Sequence, residues 1–222
     1  MTQMLAPPSA RPAAAEPDQS RVLLHGISWD TYSAILKDIG GGAPRLTYDN
    51  GLLEIELPGR LHEQVKKLIG TLAERAMDHM RIAYEPSGAT TWRKQKALKG
   101  LEADDCYHIQ NIERVLGKTE LDLTVDPPPD LAIEVEVTSP MIDKVEVYRS
   151  LKVLELWRLK ADGSCEMYLL DASGAYQPIT KSAAIPIFTP AIISHYVLLR
   201  EQHSHGETLR RFETEVLSAV VS

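Results

Sequence analysis

The sequence predicts an α/β protein with a β-hairpin near its N-terminus and helices at its C-terminus. Three observations predict it. Residues Leu131 to Thr138 alternate apolar and polar side chains with the period of two that marks a strand. Arg60 to Met80 places Val65, Leu68, Ile69, Leu72, Ala73, Ala76, Met77 and Met80 on one helical face. Asp49-Asn50-Gly51, between Arg45–Tyr48 and Leu52–Leu57, is a hairpin turn, because Asn and Gly tolerate the positive φ that such turns need.

The first twenty residues, MTQMLAPPSARPAAAEPDQS, are rich in Pro, Ala and Ser and lack the apolar stretch of a signal peptide. Residues 1–20 therefore read as a disordered tail, 21–200 as the main domain, and 201–222 as a C-terminal helix packed on it, with order expected from about Val22. Ser28 can cap a helix over Trp29 to Ile39, with Tyr32, Ile35 and Leu36 inward and Gly40 to Gly42 ending it. After the hairpin and the long helix, Arg81 to Glu85 and Thr90 to Arg93 read as strands around Pro86-Ser87-Gly88. Cys106 to Ile109 reads as another, entered through Asp104 and Asp105. Asn111 to Asp126 is a polar connection with a short helical piece, and the prolines after it enforce extended entry into the strand beginning near Leu131. Ser139 and Pro140 predict an immediate helix start. A strand at Leu154 to Leu159 follows. A hairpin, Glu166–Leu170 with Tyr176–Thr180, comes next, then helices at Thr189–Leu199 and His205–Val220.

Composition narrows the function classes. The chain has 222 residues, 44% of them hydrophobic and 25% charged, enough for one sizeable core. No apolar run approaches the roughly 20 residues that cross a bilayer. Cys106 and Cys165 make neither a disulfide framework nor a zinc site, so a reducing, cytoplasmic setting is expected. The net charge of −7 argues against sequence-independent DNA binding by charge alone, leaving a local basic patch or a metal ion to serve. The cluster from Arg93 to Lys99 reads as a solvated loop.

The chemistry concentrates at Pro127 to Tyr148. Glu134 and Glu136 share one strand face whose opposite face, Leu131, Ile133, Val135 and Val137, is aliphatic. On the following helix Met141, Val145, Tyr148 and Leu151 form the packing stripe, and Lys144 falls on it. An ammonium buried there needs an anion, and Glu134 and Glu136 are nearest in sequence. His62, in the first turn of the long helix, lies on the flank of the apolar stripe, whereas Glu63 points nearly opposite. Asp104 and Asp105 stand at a strand mouth, where both metal ligands and ordinary turn residues occur. Asp130 lies about 13 Å along the strand from Glu134, too far to share an ion, and reads as structural. His203-Ser204-His205 reads as a polar loop between helices. A strand-mouth Asp and a Glu on adjacent strands can hold a hard divalent ion, with a lysine stabilising developing charge, which fits metal-assisted phosphodiester hydrolysis.

These residues resemble the Uma2 family, within the PD-(D/E)xK nuclease-like superfamily. The resemblance rests on YDNGLLEIELPGRLHEQVKKLIGTL, GATTWRKQKALKGLEADDCYHIQN, LDLTVDPPPDLAIEVEVTSP and DKVEVYRSLKVLELWRL, and spans about residues 25–200. It implies a restriction-endonuclease-like mixed β-sheet flanked by helices, with Asp104 as the first metal-binding Asp and Glu134 as the acid of the half-motif. Glu136 stands where that half-motif has lysine. Lys144 matches the lysine that the family carries displaced onto the helix, and Ala103 replaces the proline of the PD pair. The expectation is a DNA endonuclease dependent on Mg2+ or Mn2+, with Asp104, Glu134 and Glu136 as metal ligands, Lys144 as catalytic cation and His62 as a further candidate. A homodimer is the form in which two chains could cut both strands. The alternative is a catalytically silent nuclease-like fold, a binding or assembly module whose acids only form ion pairs.

Overall fold

A computed structural model describes residues 20–40, 43–160 and 162–220, so all of the expected tail except Ser20 lies outside the described residues. The chain opens with β1 (Ser20–Leu24) and α1 (Trp29–Ile39). The hairpin β2 (Arg45–Asp49) and β3 (Leu52–Leu57) leads into α2 (Arg60–Met80). Short strands follow: β4 (Glu85–Pro86), β5 (Thr91–Lys94), β6 (Lys99–Glu102) and β7 (Asp105–His108). After α3 (Ile112–Val115) come β8 (Leu131–Glu136), α4 (Lys144–Leu151) and β9 (Glu155–Lys160). The chain closes with β10 (Cys165–Leu170), β11 (Tyr176–Pro178), α5 (Pro190–Leu199) and α6 (His205–Glu215).

The strands form two sheets. The first has the order β1-β3-β2-β6-β5 and the second β11-β10-β9-β8-β7-β4. Only the second is mixed: β8 runs parallel to β9 and antiparallel to β7. The mixed sheet flanked by helices is therefore present, and the N-terminal hairpin belongs to a separate sheet.

The period-two pattern of β8 decides the layers. Leu131, Ile133 and Val135 point into a core shared with α2, α5 and α6, where Phe188 stacks on Phe212 at 5.5 Å. Ala132 faces the other way, into a smaller cluster with Val147, Tyr148 and Leu151 of α4 and Leu101 of β6. Each large apolar side chain so buried contributes about 1.5–3 kcal/mol. The space around α4 is thus bounded by both sheets. On the far side of the first sheet, α1 packs Tyr32 against Tyr48 at 4.8 Å.

Local signals explain the ends of the helices. The Ser28 hydroxyl accepts the Thr31 N–H, and Gly40 closes α1 at φ 72°. At the end of α2, Arg81 takes the left-handed conformation and the Ile82 N–H bonds back to Met77 O. That cap consumes residues expected to be extended: the strand foreseen over Arg81–Glu85 shrinks to Glu85–Pro86. β4 and β5 also lie in different sheets and do not pair with each other. The start of α4 differs as well. Asp143, not Ser139, caps it, and Ser139-Pro140 belong to a loop. The cause is Glu54, whose Oε2 accepts the N–H groups of Met141 and Ile142, each at 2.9 Å, so these two residues turn instead of winding. Met141 consequently leaves the expected stripe and is 53% exposed.

Candidate active site

Strand β3 reads Leu-Glu-Ile-Glu-Leu over residues 53–57, the same alternation as β8, and both of its glutamates are buried, as is Leu53. Glu54 and Glu56 are 1% and 2% exposed while Leu57 is 52% exposed. Buried carboxylates need cations, and Arg21 and Lys144 supply them. Lys144 Nζ donates to Glu56 Oε2 at 3.0 Å and to Glu134 Oε1 at 2.5 Å. The Tyr148 hydroxyl donates to Glu134 Oε2 at 2.6 Å. Arg21 pairs with Glu54 and lies 3.0 Å from Glu56 Oε2, and its Nε donates to Thr138 Oγ1 at 2.9 Å. Lysine, glutamates and arginine together clamp the two sheets onto α4.

Burial alone would drive Lys144 toward the neutral amine. The carboxylates of Glu134 and Glu56 outweigh it and hold the pKa above that of an ordinary lysine. For Glu56, burial pushes toward the neutral acid, but the charges of Lys144 and Arg21 win and hold its pKa low. Lys144 is therefore a fixed cation, unsuited to act as a base.

Asp104 joins this cluster through the sheet. The register pairs Asp105 with Ile133, so continuing it by one residue sets Asp104 across from Glu134. Oδ2 of Asp104 accepts the Val135 N–H at 2.6 Å and lies 3.1 Å from His62 Nε2. Its other oxygen meets the Arg45 guanidinium. Arg45 also contacts Glu63 at 3.2 Å and Glu102 at 4.0 Å. His62 is fully buried, and burial, aided by the Arg45 charge, depresses its pKa below 6.5. A neutral imidazole with its proton on Nε2 donates to Asp104 and positions it. Such a group stabilises the fold above pH 6.5 and ceases to do so as the pH falls through its depressed folded value. His62→Gln is accordingly expected to flatten the stability gain between pH 5 and 7, read by urea titration at each pH. An unchanged slope would show that His62 titrates normally.

The remaining expected residues are placed differently. Glu136 shares the face of Glu134, but its carboxylate receives Nε and Nη2 of Arg158, both at 2.8 Å. Burial raises its pKa, with the Arg158 bonds opposing. Asp105 turns to the Tyr107 hydroxyl at 2.8 Å, beside Gly70, where α2 comes so close that a Cβ would sit 2.5 Å from Asp105 Oδ2. Of the two strand-mouth acids, Asp104 is the one that meets His62. Asp130 caps a loop, accepting from Ile109 N, Gln110 N and Asn111 Nδ2, as its position at a strand start suggested. Sequence reading missed Arg21, Arg45, Glu54 and Glu56. The glutamates had a signal, the repeated Glu-x-Glu alternation; the arginines had none, because their partners are remote in sequence.

The fit to a divalent ion rests on donor chemistry and register. Asp104 and Glu134 offer hard carboxylate oxygens from facing strand positions, which suits a small hard cation. Against it stand the protein's own cations, Arg45 on Asp104 and Lys144 on Glu134. Among the described residues no group of three or more His, Cys, Asp or Glu side chains is arranged as a metal site. An ion seated here must therefore displace Arg45.

Comparisons with known proteins identify a family and a fold. The Uma2 family, described as “Putative restriction endonuclease”, matches residues 29–191. A solved structure titled as a “putative nuclease belonging to DUF820” from Anabaena variabilis ATCC 29413 is similar, with a TM-score of 0.52 and 12% identity. The match covers 77% of this chain and 99% of that one, and at such identity it shows a shared fold. No curated protein matches. No helix among the described residues is long and apolar enough to cross a membrane.

Proposed function

This chain belongs to the Uma2 family, and on that premise we propose that it is a nuclease that hydrolyses internal phosphodiester bonds of DNA with Mg2+ or Mn2+. The observation that carries the reading is the convergence of Asp104 and Glu134 from facing strand positions with Lys144 held 2.5 Å from Glu134. Asp104 and Glu134 would hold the ion, which when bound supplies an acidified water and shields phosphate charge. The chain's own groups do the rest. Lys144, kept charged by Glu134 and Glu56, is suited to stabilise negative charge developing on the phosphoryl oxygens. His62 orients Asp104, and Tyr148 orients Glu134. Glu136, which would be a third carboxylate for the ion, is held by Arg158. Two buried free cysteines are consistent with a cytoplasmic setting, and a homodimer would supply the second site that double-strand cutting requires.

The test is cleavage of closed circular and linear DNA with Mg2+ or Mn2+, repeated with Glu134→Ala and with chelator. Nicking or linearisation of the circle by the wild-type protein is expected. A loss on the order of 100-fold or more is expected in the variant, as for removal of a group that stabilises the transition state. The second reading, a silent binding or assembly module, is favoured by the pairing of each predicted acid with a protein cation. Absence of cleavage of any polynucleotide by the wild-type protein would overturn the nuclease reading and support the module.

A further inference from the structure

Beside the buried cluster, the first turns of α2 and the connection between α5 and α6 enclose an open depression of about 640 Å³. Arg60 and Lys67 line it from the exposed face of α2, and Arg200, His203 and His205 line it from the opposite side. Glu63, a half-exposed carboxylate in the same lining, reaches Arg45 at 3.2 Å and His62 at 3.3 Å. The depression thus adjoins the Asp104 site through a single side chain. Its cations are poorly compensated. Among the described residues no carboxylate lies within 4 Å of Arg60 or Lys67, and the nearest to Arg200 is Glu201 at 3.9 Å. His203, a cation only when protonated, lies 3.8 Å from Glu207.

In a chain of net charge −7, Arg60 and Lys67, with no carboxylate that close among the described residues, concentrate positive charge at one concavity, and an anion relieves it. The spacing indicates which kind. Arg60 and Lys67 are two helical turns apart, about 10 Å along α2, comparable to the axial rise of about three nucleotide steps of one duplex strand. We propose that this cleft seats the sugar–phosphate backbone of DNA next to the bond to be cut. Arg60, Lys67 and Arg200 contact phosphate oxygens there, and His203 and His205 donate N–H groups. The inference rests on the nuclease reading for its substrate and adds the surface that binds it. It also explains how an acidic protein holds a polyanion, because the positive charge is local.

The experiment measures binding apart from chemistry. The full chain is titrated against a labelled 20-base-pair duplex in chelator, at several salt concentrations, as wild type and as Arg60→Gln/Lys67→Gln. Both side chains are exposed, so the fold is not at stake, and an unchanged melting temperature verifies it. Binding is expected to weaken about tenfold or more near 100 mM salt. The slope of log K against log salt is expected to fall by about 1.8, two phosphate contacts at about 0.9 each. A control pair, Lys37→Gln/Arg93→Gln, alters a separate depression between α1 and β5 and is expected to bind as wild type. Wild-type affinity and slope in the cleft variant would overturn the proposal, and so would equal weakening by the control pair. Cleft-dependent binding without cleavage by the wild-type protein would uphold the cleft while sinking the nuclease reading. Cleavage unaffected by the cleft variant would do the reverse.

Discussion

Lys144→Met is expected to lose about 3–5 kcal/mol of folding stability, the usual consequence of removing one partner from a buried ion pair. The substitution keeps the volume and the apolar stem, so the loss isolates the charge. Lys144 is the one cation that bonds Glu134 and the second that bonds Glu56 among the described residues, and all three side chains are nearly inaccessible to water. Without the ammonium, Glu134 keeps only the Tyr148 hydroxyl. Urea titration reads the loss, and Lys144→Met/Glu134→Gln should recover part of it through a coupling of about 0.5–3 kcal/mol. A single variant within about 1 kcal/mol of wild type would show that the pair is not desolvated as described.

Arg45→Leu is expected to move two quantities in opposite directions. The apo protein should lose about 3 kcal/mol or more, because Asp104 and Glu102 lose the guanidinium that faces them. Burial already raises the pKa of Glu102 against the pull of Arg45, Lys66 and Lys144, so removing the arginine takes away the largest of the opposing charges. Mn2+ should then rescue the variant more than it stabilises the wild type, because the ion no longer competes with Arg45 for Asp104. At 100 times its dissociation constant a ligand that binds only the folded state returns about 2.7 kcal/mol. Thermal melts with and without Mn2+, together with calorimetric titration, read both effects. If the metal shifts neither protein, Asp104 and Glu134 do not hold a divalent ion.

Much of the architecture was legible because it is written in local patterns. The hairpin at Asp49-Asn50-Gly51, the Ser28 cap, the stripe of α2 and the alternation of β8 each depend on neighbours within a few residues. Failures came where a distant group overrode a local preference. Ser139-Pro140 looked like a helix start, but Glu54, more than eighty residues earlier, takes the N–H groups of Met141 and Ile142. Arg81 looked like the beginning of a strand, but the long helix needed a left-handed residue to end on. β1 left only the suggestion that order begins near Val22, since a five-residue edge strand is defined by pairing with β3.

The candidate site divides along the same line. His62 and Lys144 could be chosen from sequence because each falls on or beside an apolar helical stripe, where a polar side chain must find a partner. Glu134 stood out by its strand alternation and Asp104 as a strand-mouth acid, the family resemblance gave them motif roles, and the register sets them across from each other. The partners that set their charge were not legible. Arg21 reaches Glu54 across 33 residues and Thr138 across 117. Periodicity reports which face of an element is turned inward, and so the sequence by itself determined the elements, the inward acids and the lysine among them. Which cation meets which carboxylate depends on how two sheets close around α4, and that long-range choice was made only by the tertiary structure.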